Sequence, residues 1–158
     1  MGKQAIKIVE LDVKELIKDL NKAYCDEWLA YYAYWYMAKT ASRLYYEDIS
    51  EFLSKIAKEE EEHAGELTDR ILELGGTHIV NPTELEKNAN APYPQPPKET
   101  NDYKKIIKVV LEAEAGAIDV YNKIAKKVQG KDHTTYQLIT HILSEEIKHE
   151  QMFEDLLG

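Results

Sequence analysis

At 158 residues the chain is long enough to bury one substantial core, and no apolar run approaches the roughly 18 residues that a membrane-spanning helix needs. A net charge of −9 speaks against a surface that coats nucleic acid, and we expect neither a nucleic-acid nor a membrane partner. The single cysteine, Cys25, excludes an internal disulfide and a cysteine-pair metal site.

The first residues lack the apolar core of a signal segment, so the cytoplasm is the expected location. Asp12 reads as the N-cap of a first helix that runs to about Tyr46. Seven of the eleven tyrosines fall between Tyr24 and Tyr46. A second helix is expected from about Glu47 to Leu74, stopped by Gly75 and Gly76. All five prolines lie in the connection that follows, residues 77–101. Inside it, Asn81 and Pro82 mark the cap and first turn of a short helix reaching Lys87. A third helix is expected from about Asp102 to Gln129, before Gly130, and a fourth from about His133 to Leu157. Strand patterns are nearly absent. Short turns make the first pair and the last pair of helices antiparallel hairpins, and the long connection lets the chain cross the bundle lengthwise. The expectation is one all-α domain over residues 1–158, a four-helix bundle with a single crossover at about residues 76–101.

Two Glu-x-x-His pairs interrupt this pattern, Glu60 with His63 and Glu146 with His149. Residues three apart share a helix face, so each pair can present a carboxylate oxygen and an imidazole nitrogen to one point. Glu60 and His63 fall in the gap of an apolar stripe that includes Leu53, Ile56, Ala64, Leu67 and Ile71. Glu146 and His149 fill the same gap between Ile142 and Phe153. Glu61, Glu62 and Lys148 lie off the stripe and read as solvated. Buried carboxylates are costly unless something positive meets them, which points to metal.

The hairpins repeat each other. The shift that carries Glu60 onto Glu146 also carries His63 onto His149, Ile56 onto Ile142 and Leu67 onto Phe153. The first and third helices share Glu-x-x-Ala-x-x-x-Tyr-x-x-x-Ala, which singles out Glu27 over Asp26 and Glu114 over Glu112. The candidate ligands are thus Glu27, Glu60, His63, Glu114, Glu146 and His149. Four carboxylates and two neutral imidazoles balance two divalent cations, and one nitrogen per metal among oxygens suits iron, manganese or zinc. Glu60 and Glu146 are expected to bridge; Glu27 with His63, and Glu114 with His149, would cap one metal each. Tyr34 and Tyr121 lie two turns beyond Glu27 and Glu114 on the same faces, where their hydroxyls can reach a ligand carboxylate.

With those residues in place, the chain resembles the ferritin superfamily, in its bacterioferritin and Dps-like branch, from about Asp12 to Leu157. The stretches that carry the likeness are Glu66 to Gly76, Leu111 to Ile118, Gly130 to Asp132 and Ile142 to Glu150. The resemblance implies a ferritin-like bundle that binds two irons per chain and oxidises Fe(II) with hydrogen peroxide or dioxygen, for iron storage and protection against oxidative stress. It also implies a homo-oligomer. The end at Gly158 leaves no fifth helix, which favours a dodecamer over a twenty-four-mer, with a dimer next. The alternatives are a small rubrerythrin-like peroxidase without a rubredoxin domain, or a non-catalytic storage or DNA-sheathing cage. Some members of this branch carry two cysteines near the centre; Gly116 and Ala125 stand at those positions, so thiol chemistry is not carried over. Glu61 stands where bacterioferritins place a haem-ligating methionine, so no haem is expected.

Trp28, Tyr31, Tyr32, Trp35 and Tyr36 are too many for one inner stripe, and some are expected to meet another subunit. His78, His133 and His141 read as loop or surface residues, and Cys25 as structural.

Overall fold

The computed structural model describes residues 3–42 and 46–158. Its helices are α1 (Lys3–Lys7), α2 (Val13–Thr40), α3 (Tyr46–Glu73), α4 (Leu85–Asn88), α5 (Tyr103–Val128) and α6 (His133–Leu157), with a 3₁₀ turn, Pro82–Glu84, leading into α4. No strand occurs among the described residues, and none of their helices is long and apolar enough to cross a membrane. α2 packs along α3 and α5 along α6, and the crossover lays α4 against α2. This is the expected bundle of two hairpins.

Local chemistry places the helix ends. The Asp12 carboxylate accepts from the amides of Lys14 and Glu15 at 2.9 and 3.1 Å, Asp102 caps α5 and Asp132 caps α6 in the same way. At the end of α3, Gly75 takes φ 79°, its amide donates to the Leu72 carbonyl, and the Gly76 amide donates to Ile71. This is the Schellman pattern that a glycine pair permits. Gly76 then lies flat on α2, where a Cβ would fall 2.7 Å from Ile17 Cγ2.

Two boundaries differ from the sequence expectation. α2 ends at Thr40, not near Tyr46; residues 43–45 of the expected first helix lie outside the described residues, and Tyr46 opens α3. Ala41 leaves the helical region at ψ 135°, and the Ser42 amide donates to the Thr100 carbonyl of the crossover. A tertiary hydrogen bond takes the donor that a longer helix would have used. The short α1 was not foreseen, and the segment after it is tied down by the Glu10 amide donating to the Lys131 carbonyl.

The core is in two parts. One gathers Leu16, Leu20, Leu67, Ile71, Ile139 and their neighbours; the other gathers Met37, Leu53, Ile56, Ile106, Phe153 and theirs. Each long helix passes from one to the other across a polar segment, so a polar belt separates two apolar halves.

Near the first half a buried ion pair joins the hairpins. Arg70, 4% exposed, donates through Nη2 to both oxygens of Asp132, at 3.1 and 3.0 Å, and through Nε to Thr135 at 2.8 Å. Burial opposes the charge on Asp132, but hydrogen bonds from Thr135 and Arg70 outweigh it and hold the carboxyl below its ordinary value. A depressed carboxyl stabilises the fold above its ordinary pKa, and that contribution is lost as pH falls through the lowered value. Arg70→Met would strand Asp132 and should cost about 3 kcal/mol in urea unfolding at neutral pH, with a smaller loss near pH 3. A cost below 1 kcal/mol would mean the pair is solvated in solution.

Candidate metal centre

Glu27 comes from α2, Glu60 and His63 from α3, Glu114 from α5, and Glu146 and His149 from α6. All six are 3% exposed or less. The structure brings all of them together in two overlapping groups, Glu27, Glu60, His63, Glu146 and Glu60, Glu114, Glu146, His149. Within each group one side-chain donor atom per residue lies within 4.8 Å of all the others. Glu60 and Glu146 belong to both groups.

Both imidazoles turn Nδ1 inward. His63 Nδ1 lies 3.5 Å from Glu27 Oε2, 3.5 Å from Glu60 Oε2 and 3.1 Å from Glu146 Oε1. His149 Nδ1 lies 3.4 Å from Glu60 Oε1 and 3.2 Å from Glu114 Oε2. These approaches are out of line for hydrogen bonds. Five buried donor atoms, Glu60 Oε1, His63 Nδ1, Glu114 Oε2, Glu146 Oε1 and His149 Nδ1, have no hydrogen-bond partner. Buried polar atoms are rarely left so, and inward-facing donors are what a pair of cations requires. The donor set therefore fits two metal ions.

The outward nitrogens are held by residues that sequence reasoning did not single out. His63 Nε2 is 2.8 Å from Glu145 Oε2, and His149 Nε2 is 2.7 Å from Glu59 Oε2. Each carboxylate comes from the other histidine's helix. With Nε2 as the donor, the tautomer leaves the Nδ1 lone pair aimed at the centre. The signal was present: the shift that carries Glu60 onto Glu146 also carries Glu59 onto Glu145.

The tyrosines cross in the same manner. Tyr34 on α2 donates to Glu114 Oε1 at 2.5 Å, and Tyr121 on α5 donates to Glu27 Oε1. Each thus orients the carboxylate of the opposite helix, not of its own. Burial, then the neighbouring carboxylates, push both phenols well above their ordinary value, so both keep their protons.

Charge crowding is the dominant electrostatic feature. Burial raises Glu60 and Glu146 well above the usual carboxylate range, and the adjoining carboxylates add to the shift. Burial lowers the basicity of His149, but the Glu114 and Glu146 carboxylates beside it, with the contact to Glu59, reverse that and raise it to about 9. Without cations, the site must hold protons in their place.

Around the centre, Glu61, Glu62 and Lys148 are exposed. Cys25 is fully buried, its thiol pushed up to about 12 by burial and by Asp26. His133 and His141 are exposed, while His78 is half-buried, its ring 5.3 Å from that of Tyr24. Tyr32, Trp35 and Tyr36 are exposed on α2.

Comparison with known proteins agrees with this architecture. The chain is 37% identical, over 99% of its own length and 84% of the relative's, to a protein from Pyrococcus furiosus named DNA protection during starvation protein. Among solved structures it is similar to the bacterioferritin-related protein from Bacteroides fragilis, described as a dodecameric thioferritin. There the TM-score is 0.93 at 37% identity, covering 99% of this chain and 93% of that one. Dps from Thermosynechococcus elongatus shares the fold, with a TM-score of 0.86 at 16% identity over 99% of this chain and 96% of that one. The family model for the ferritin-like domain matches residues 17–158. The chain belongs to the ferritin-like family.

Proposed function

We propose that this chain, as one ferritin-like unit, takes up two Fe(II) ions within its own bundle and oxidises them with hydrogen peroxide or dioxygen, in iron storage and protection against oxidative stress. The observation that carries the reading is the sharing of Glu60 and Glu146 between two donor groups, each with one further carboxylate and one inward imidazole. Glu27 and His63 would serve one ion and Glu114 and His149 the other, with Glu60 and Glu146 available to both. Iron is the metal that supplies the redox chemistry; each ion gives up one electron, and peroxide takes two with two protons to leave as water. The residues would hold the ions close together, Tyr34 and Tyr121 fix the outer carboxylates, and the two apolar half-cores flank the centre on either side.

The P. furiosus relative is named for DNA protection. For this chain the acidic balance of −9 favours protection by consuming iron and oxidant, without contact with DNA. A dodecamer is the assembly we propose, after the B. fragilis structure, with the exposed Tyr32, Trp35 and Tyr36 as candidates for its contacts. The free, buried Cys25 suits the reducing cytoplasm.

Anaerobic titration tests the reading: two Fe(II) should bind per chain, at a mass in light scattering near twelve chains. Binding of no iron would end it, and a mass near two chains would favour a small peroxidase. The same titration tests the outer carboxylates. Glu59→Ala or Glu145→Ala should weaken Fe(II) binding about 10- to 100-fold, and Glu59→Gln, whose amide oxygen still accepts from the imidazole, should recover much of it. Equal affinity in both alanine variants would show that the histidines need no such support.

A further inference from the structure

A cavity of about 350 Å³ lies between α2 and α5, under residues 90–95 of the crossover. Its floor is formed by Glu27, Glu60, Glu114 and Glu146, and neither His63 nor His149 lines it. It therefore reaches the centre from the carboxylate side. Its walls are mostly apolar, with Leu29 and Ala30 from α2 and Ala113 and Val120 from α5, and Tyr34, Gln95 and Glu112 add polar groups. Asp26 pins the roof, accepting from the Asn90 amide at 2.9 Å, the Asn90 side chain at 2.6 Å and the Ala91 amide at 3.2 Å.

Size decides what this space suits. Dioxygen and hydrogen peroxide are little larger than water, whose share of liquid volume is about 30 Å³. The cavity offers roughly ten times that and lies in the lower range of pockets for small organic ligands. The apolar stretches of wall favour a molecule with an apolar body. The carboxylate floor places only one end of such a molecule at the metals.

We propose that the cavity admits organic hydroperoxides, with the hydrocarbon group against α2 and α5 and the peroxy group toward the floor, and that the bound Fe(II) reduces them. The inference rests on the Fe(II) reading above. The oxygen–oxygen bond breaks, each of two Fe(II) gives one electron, two protons are taken up, and one alcohol and one water leave with two Fe(III) formed. Charge and atoms balance with no further reductant.

Gly116 offers the means of testing it. It lies in the middle of α5, where glycine is disfavoured, and a Cβ there would meet nothing within 4 Å. It also lines an adjoining surface cavity of about 420 Å³, which places it at the mouth. Gly116→Phe, whose Cβ has open space, would set a ring at the opening, and Ala30→Leu would narrow it from α2.

Anaerobic Fe(II) titration of all three proteins comes first; a wild type that binds no iron removes the metal reading and this one with it. Iron-loaded proteins are then mixed with cumene hydroperoxide or hydrogen peroxide in a stopped-flow instrument, and the alcohol is quantified. The wild type should yield one alcohol per two Fe(II), faster than free Fe(II) does. The ratio of the cumene hydroperoxide rate to the hydrogen peroxide rate should fall about tenfold or more in Gly116→Phe, and fall also in Ala30→Leu. A wild type no faster than free Fe(II), or a ratio unchanged in both variants that still bind iron, would overturn the assignment while leaving the metal reading intact.

Discussion

Glu60→Ala combined with Glu146→Ala should abolish Fe(II) oxidation. Each proposed metal position loses two of its four side-chain donors, both of them shared. Losing a partner outside the ligands themselves already costs about 10- to 100-fold in affinity or activity, so losing two ligands at each position should exceed that and leave only the rate of free iron. The fold should survive, because the change also removes two carboxyls that burial and mutual repulsion hold well above their usual range. Rapid mixing of Fe(II) with peroxide reads the rate, and a thermal melt of the metal-free protein reads the fold. Wild-type oxidation by a folded double variant would show that the chemistry lies elsewhere.

Metal removal should have the next largest effect, on stability. A ligand present at about a thousand times its dissociation constant stabilises the folded state by about 4 kcal/mol, which for a domain of this size is a fall of roughly 10 °C in Tm on chelation. The gap should widen as pH rises. The raised carboxyls, and His149 raised to about 9, stabilise the metal-free fold only while they keep their protons. A histidine so raised contributes fully below its ordinary value of about 6.5, and the contribution fades as pH climbs toward 9. Metal-bound ligands carry no such protons. Melts of chelated and metal-loaded protein at pH 6 and pH 8 should therefore differ more at pH 8; equal Tm values in both forms at both pH values would mean that no metal meets these carboxylates.

Much of this site was legible because a helix writes its inner face into the sequence at three- and four-residue spacing. Glu60, His63, Glu146 and His149 are conspicuous as polar residues in otherwise apolar stripes, and the repeat between hairpins then isolates Glu27 and Glu114. What stayed hidden depends on contacts between helices. Glu59 sits in a run of four glutamates, and only the approach of α6 distinguishes it from Glu61 and Glu62. Tyr34 and Tyr121 were picked out by their spacing from Glu27 and Glu114, yet each bonds the carboxylate across the bundle. Arg70 reads as an ordinary last-turn cation until Asp132 closes on it from the other hairpin. The end of α2 carries no glycine or proline and is set by a crossover carbonyl. A helix as short as α1 has no stability of its own to announce.

The crossed contacts carry a consequence for how the centre assembles. Every one of them comes as a swapped pair: His63 with Glu145 and His149 with Glu59, Tyr34 with Glu114 and Tyr121 with Glu27. Neither hairpin contains a complete donor group, and each supplies what the other lacks. Two copies of a single hairpin would have all the parts needed to build the same centre as a dimer. The crossover turns that encounter into an intramolecular one, replacing dependence on protein concentration by a fixed effective concentration of one half for the other. Cutting the chain in the crossover should therefore yield two fragments whose reassembly depends on their concentration and is drawn together by the metal.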